Sequence, residues 1–248
     1  MWLMPLKEAY MKCFLRKFAI LLLLTVPAIG QEAATPTQQT AHHGVARRPS
    51  LSADDIWADL MRGNERFVEG KQRSSGSVSL RDTLAKGQSP HAVVLACSDS
   101  RVAPELVFDK NLGDLFVVRS AGNIAGPIGV GSIEYAVEHL GSTVLVVLGH
   151  TKCGAVTAAC SGDKMPSSNL QEIVDKINPA VLEARKSNAK DDALVEAAIK
   201  ENIHQSAKDV IANSEILRHF VEEKKLTVFE AEYQLDSGKV VRLDKGQQ

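Results

Sequence analysis

Two short segments carry side chains able to hold a metal ion and handle protons. They are Cys97-Ser98-Asp99-Ser100-Arg101 and Gly149-His150-Thr151-Lys152-Cys153-Gly154. Two thiols and one imidazole suit borderline-soft zinc, and a set of three protein ligands leaves the fourth position open, as in catalytic rather than structural sites. Each residue alone has a plainer reading. A lone Cys at a strand end is commonly a small core hydrophobe, and an H-x-x-C pair by itself is a weak signal. The metal reading gains weight because both segments follow apolar runs and because Asp99 and Arg101 accompany Cys97.

Those runs must place the two segments side by side. His91 to Ala96, Leu115 to Val118 and Thr143 to Leu148 are short, continuously apolar stretches, each followed by a polar turn. Continuous rather than alternating apolarity predicts strands buried on both faces, as in a parallel sheet. In such a sheet, sites assemble where the carboxyl ends of neighbouring strands meet. Ser52, followed by Asp54 and Asp55, predicts the start of an amphipathic helix that buries Ile56, Trp57, Leu60 and Phe67 and ends near Gly70. Pro127 to Leu140 and Gln171 to Lys224 read as helices, and Cys160 falls on a further predicted helix as a core residue. Leu226 to Leu235, Asp236-Ser237-Gly238 and Lys239 to Leu243 read as a strand and an antiparallel hairpin. The fold class is α/β: a mainly parallel central sheet flanked by helices, with an N-terminal helical arm and a C-terminal hairpin.

The first thirty residues have another character. Lys12, Arg16 and Lys17 precede an apolar run of twelve residues, Phe18 to Ile29, and Ala28 and Gly30 are small residues suited to cleavage before Gln31. A membrane-spanning helix needs roughly 20 apolar residues, so residues 1–30 read as a cleavable export signal. No stable membrane insertion is expected after cleavage, and the location is periplasmic or secreted. Residues 31–50 read as a flexible linker, with residues 51–248 forming the catalytic domain. Cleavage removes four basic residues (Lys7, Lys12, Arg16, Lys17) and one acidic residue (Glu8), so a precursor with net charge -1 becomes more acidic. With 5% aromatic residues and no basic excess, nucleic acid is not an expected partner. Of four cysteines, Cys13 leaves with the signal, and no disulfide framework remains.

The two chemical segments together resemble the paired signatures of the β-class carbonic anhydrases. The resemblance extends from about Ser52 to Leu243. It takes in Gly63-Asn64-x-Arg66-Phe67, Gly113-Asp114-Leu115-Phe116-Val117-Val118-Arg119, Ala121-Gly122-Asn123 and Ser132-Ile133-Glu134-Tyr135-Ala136-Val137. It implies one Zn2+ per chain on Cys97, His150 and Cys153, with Asp99 and Arg101 as the catalytic pair and Asp99 as a fourth ligand in a closed state. It also implies a carbon dioxide pocket lined by Gln88, Phe116, Ala121 and Tyr135, drawn from both subunits of a homodimer or homotetramer. Ser120 and Ala121 stand where many members have Asn and Val. Val94 stands where the bicarbonate-inhibited members have Trp.

The implied activity is reversible hydration of carbon dioxide to bicarbonate and a proton, through zinc-bound hydroxide oriented by the Asp-Arg pair. Two other readings use the same residues. One changes the substrate to carbonyl sulfide or carbon disulfide; the other is a zinc-bearing or bicarbonate-sensing module without turnover. The glycines of Gly126-Pro127-Ile128-Gly129-Val130-Gly131 lack the Lys-Ser/Thr of a nucleotide loop and predict close backbone packing and a helix start.

Overall fold

A computed structural model describes residues 51–73 and 78–243, so the expected signal and the whole of the linker lie outside the described residues. The sheet has five strands: β1 (Ala92–Cys97), β2 (Leu115–Ser120), β3 (Val144–His150), β4 (Thr227–Tyr233) and β5 (Val240–Arg242). Their spatial order is β2-β1-β3-β4-β5; the first four strands are mutually parallel and β5 returns antiparallel to β4. Among the described residues, eight α-helices surround it: α1 (Ala53–Val68), α2 (Val78–Leu84), α3 (Pro104–Val107), α4 (Pro127–Glu138), α5 (Gly154–Ser161), α6 (Ser168–Arg185), α7 (Asp191–Ala212) and α8 (Glu215–Glu222). No described helix is long and apolar enough to cross a membrane.

Alternation along the central strands builds two cores. Val93, Leu95, Cys97, Leu145 and Val147 face the layer of α4 to α8, while Ala92, Val94, Ala96, Val144, Val146 and Leu148 face α1 and α3. Every residue of β1 and β3 is buried, as continuous apolarity predicts. β2 departs from that expectation. It lies at the sheet edge and is only half-buried, although it is as apolar as its neighbours over Leu115 to Val118.

The Gly63-Asn64-x-Arg66-Phe67 segment has a packing explanation. α1 starts on Ser52, whose hydroxyl accepts from the Asp55 N–H at 3.1 Å, and Ile56 and Leu60 are buried beside Val107 and Phe108. A Cβ at Gly63 would lie 1.8 Å from the Phe108 carbonyl oxygen. The buried Asn64 amide donates to the carbonyls of Val107 (3.1 Å) and Gly238 (2.8 Å) and accepts from the Val240 N–H (2.9 Å). Arg66 pairs with the buried Asp109. One helix therefore pins both α3 and the β4–β5 hairpin, where Gly238 adopts the left-handed conformation (φ 72°) that the Asp236-Ser237-Gly238 turn requires.

Gly126 and Pro127 open α4 as the N-cap and first-turn residues. Close packing is not observed at Gly126 or Gly131, where a Cβ would meet nothing within 4 Å, while a Cβ on Gly129 would make ordinary contact with Ala125 (3.4 Å) and Val118 (3.6 Å). The reason is that this end of α4 faces outward, with Ile128 86% exposed.

Replacement of Gly63 by Ala is expected to lower stability by about 1–3 kcal/mol, because α1 must lift off the Phe108 carbonyl. Urea unfolding of the variant, with the slope unchanged and the midpoint lowered, is the check.

Candidate metal centre

The parallel register brings the two chemical segments together. Ala96 pairs with Leu148, so β1 ends at Cys97 beside Gly149 and His150 of β3. Beyond His150 the chain turns through Lys152, which takes a left-handed φ of 55°, and enters α5 with Cys153 as its N-cap residue. The three ligand atoms of Cys97, His150 and Cys153 lie within 4.8 Å of one another, and all three residues are buried.

The donor chemistry fits one metal ion. His150 places Nδ1 2.9 Å from the Thr151 carbonyl oxygen, and a carbonyl only accepts, so Nδ1 carries the proton. Nε2 is left with a lone pair, buried and without a hydrogen-bond partner. Histidine metal ligands are oriented by such a bond from the other ring nitrogen. Thr151 is itself fixed to β4: its N–H donates to the Tyr233 carbonyl (3.0 Å), and its hydroxyl accepts from the Leu235 N–H (3.0 Å).

The sulfurs are unequal in the metal-free chain. Cys97 is drawn down to about 4, first by a hydrogen bond from Cys153 and, against burial, by His150 and the N–H groups of Asp99 and Gly122. Cys153 is pushed up by the same contact with Cys97 and by burial, with the N–H groups of Ala155 and Val156 at the start of α5 pulling the other way. One thiolate therefore forms readily, while ionising the second asks for a cation between them. Burial works against charge on His150, but the neighbouring Cys97 and the Thr151 carbonyl outweigh it and raise its pKa.

Asp99 stands at the rim. Arg101 grips both of its oxygens, with Nε 2.9 Å from Oδ1 and Nη2 2.7 Å from Oδ2, and the Arg101 N–H adds a third bond to Oδ1 at 2.9 Å. These bonds hold the Asp99 carboxyl well below the usual carboxylate range despite partial burial. Oδ2 lies 3.8 Å from Nε2 of His150. The sequence motifs include Arg119 and Gly122 but give neither a role in holding this turn, and they omit Asn202. Arg119 donates from Nε to the Cys97 carbonyl (3.0 Å) and from Nη2 to the Asp99 carbonyl (2.7 Å). On the other side, the N–H of Gly122 points at Cys97 Sγ (3.3 Å), and the buried Asn202 of α7 donates to the Gly122 carbonyl (2.8 Å).

The expected pocket residues divide. Ala121 adjoins Gly122 at the metal centre. Phe116 pairs with Val93, four residues before Cys97, which is about 13 Å along the strand. Its ring lies 6.3 Å from that of Tyr135. Gln88 and Tyr135 line a separate cavity of about 460 Å³ with Leu84, Lys86, Gly113 and Leu140, at the amino end of the sheet. One chain does not bring Gln88, Phe116 and Tyr135 to Cys97, His150 and Cys153. Val94 is buried in the core on the α1 side, and Cys160 lies half-buried on α5.

Known proteins place this arrangement. A family profile described as carbonic anhydrase matches residues 92–240. Carbonic anhydrase 2 of Mycobacterium tuberculosis is 38% identical over 200 residues, covering 79% of this chain and 95% of that protein. Among solved structures, the β-carbonic anhydrase CcaA superposes with a TM-score of 0.62 at 28% identity, covering 76% of this chain and 95% of CcaA. One of two tetrameric β-carbonic anhydrases from Sordaria macrospora gives 0.62 at 25% identity, covering 79% and 95%. With its parallel sheet, its buried Cys-His-Cys cluster and relatives matched over nearly their whole length, the chain belongs to the β-carbonic anhydrase family of enzymes.

Proposed function

We propose that this chain catalyses the reversible hydration of carbon dioxide to bicarbonate and a proton, with one zinc ion per chain held by Cys97, His150 and Cys153. The observation that carries the reading is the buried Nε2 of His150, without a hydrogen-bond partner, clustered with two sulfurs beside the Asp99–Arg101 fork. A zinc ion in that cluster supplies the Lewis acidity that makes hydroxide available near neutral pH, where bulk water provides almost none.

The chain's own residues do the rest. Asp99, ionised throughout the neutral range, accepts a proton-bearing partner at Oδ2 and so orients the attacking oxygen. Arg101 keeps that carboxylate turned away from the cluster; with the fork broken, Oδ2 needs to move little to become a fourth ligand. Ala121 contributes a small apolar wall beside Cys97. Gln88, Phe116 and Tyr135 reach a metal centre only as contributions from a second copy. Ile128 at 86% and Tyr135 at 41% exposure on α4, beside the half-buried apolar edge of β2, form the surface that supports such pairing. A dimer is the minimal working unit, and a tetramer would be a pair of them. Residues 1–30 support export to a periplasmic or extracellular location.

Metal analysis of purified protein is expected to find one zinc per chain. Cys97→Ala is expected to abolish both zinc and hydration, and Asp99→Asn to keep zinc while losing about 10²-fold or more in kcat by stopped flow. Full activity in zinc-free protein would refute the reading.

The Asp99 carboxyl has a folded pKa below its unfolded value. Its stabilising contribution is therefore complete above the unfolded pKa of 3.8 and is lost as pH falls through the lower folded value. NMR of the zinc-free protein is expected to show a lower Asp99 titration midpoint in wild type than in Arg101→Leu, and equal midpoints would remove the fork as the cause.

Ile128→Asp is expected to yield monomers by light scattering that still bind zinc but lose about 10²-fold in kcat/KM, because the substrate wall is then missing. A monomer with full activity would place the pocket within one chain.

A further inference from the structure

The 3₁₀ turn Ala121–Asn123 touches Cys97, and its middle residue is constrained on every side. Gly122 has a φ of 73° and is buried. A Cβ there would sit 2.7 Å from Ile177 Cδ1 and 3.3 Å from the Ala155 Cβ, so α5 and α6 close over it. Its N–H is spent on Cys97 Sγ at 3.3 Å. Its carbonyl would be left without a partner in the interior were it not for Asn202, which reaches from the middle of α7 and donates at 2.8 Å. A carbonyl only accepts, so the amide orientation is fixed: Nδ2 faces Gly122, while Oδ1 accepts no protein hydrogen bond. Asn202 is 1% exposed. A polar side chain that desolvated, with only half its amide used, is costly to keep unless the bond it makes is needed.

From this geometry we infer that Asn202 is a positioning residue for the metal centre, holding the peptide plane of Gly122 so that its N–H is aimed at the Cys97 sulfur. The inference rests on the zinc reading above. The Gly122 N–H withdraws charge from the thiolate and fixes the lone pairs left for the ion. A peptide at a left-handed glycine can rock, because no Cβ resists it. Asn202 supplies that resistance from a 22-residue helix packed on the sheet face that carries Cys97. Outer partners of metal ligands act in this way, and losing one typically costs about 10–100-fold in metal affinity.

Zinc release from the loaded full chain into excess chelator is the primary test, with Asn202→Asp (same shape, acceptor in place of donor), Asn202→Leu and Asn202→Ser. The first two are expected to lose zinc about 10–100-fold faster than wild type, and Asn202→Ser, which keeps a donor and crowds nothing, to fall between. In the zinc-free protein the Gly122 amide is expected to exchange faster in all three, and in cobalt-loaded protein the sulfur-to-metal absorption band is expected to shift. Val210→Ala, a truncation two turns further along α7, serves as the packing control: lower thermal stability, wild-type zinc release. Wild-type release rates in Asn202→Asp and Asn202→Ser overturn the inference while leaving the zinc reading intact, as does equally fast release from Val210→Ala. Wild-type protein that takes up no zinc overturns both.

Discussion

The parallel pairing of β1 with β3 is the constraint on which the rest of the molecule depends. Both strands are buried on both faces, so every backbone N–H and C=O must be satisfied within the sheet, and the register is fixed by which side chains fall into which core. A shift of one residue would turn Cys97 from the α5–α7 side to the α1 side and separate it from Cys153. The metal centre is thus a consequence of strand register: Cys97 is the last buried residue of one strand, His150 the last of its neighbour, and Cys153 the first residue the chain offers after the turn.

Charge then dictates what must surround that point. Cys97 and Cys153 as thiolates, with Asp99 beside them, would concentrate three negative charges at the end of a buried sheet. A dipositive ion offsets two of them, and Arg101 offsets the third while its own head stays in water, its side chain 54% exposed against 16% for Asp99. The bidentate fork is stronger than a single charge contact and also fixes direction. Asp99 can therefore sit within 4 Å of a metal ligand without collapsing onto the cluster. The bond from Nδ1 to the Thr151 carbonyl orients the His150 ring and leaves Nε2 facing the cluster, and that carbonyl is held in place through β4. β4 carries no ligand, yet it decides which tautomer His150 presents.

The sequence makes some of this legible and hides the rest for identifiable reasons. β1 and β3 are evident because burial on both faces leaves uninterrupted Val and Leu, and the ligands are evident because Cys and His are chemically distinctive. The edge position of β2 is hidden: Leu115 to Val118 is as apolar as a central strand, since its outward side belongs to a surface that a lone chain leaves uncovered. The short helices α2 and α3 have too few residues to show a period, and α3 is set by Pro104 and by the contacts of Val107 and Phe108 with α1. The roles of Arg119 and Asn202 escape motif reading for a different reason. They act on backbone carbonyls, which every residue has, so nothing in the types or spacing of their targets marks them. Glu232 is similar: its carboxyl is buried next to the His150 strand and pushed up mainly by that burial, with no motif to announce it.

The division of the pocket residues has a geometric origin of the same kind. Parallel strands all point one way, so the metal ligands collect at the carboxyl end of the sheet, while Gln88, before β1, and Phe116, early in β2, stay at the amino end. A six-residue strand is about 16–20 Å long, and carbon dioxide is far too small to bridge that gap. A two-fold axis along the exposed edge of β2 and α4, as in the proposed pairing, would remove the problem, because an isologous contact there would set the amino end of one sheet against the carboxyl end of the other and do so twice. The apolar side chains left on that edge would then serve two ends at once, covering the core of one copy and walling the substrate site of the other. On the proposed pairing, assembly and catalysis would share one surface, so a change that loosens the contact would lower turnover before it disturbed Cys97, His150 and Cys153.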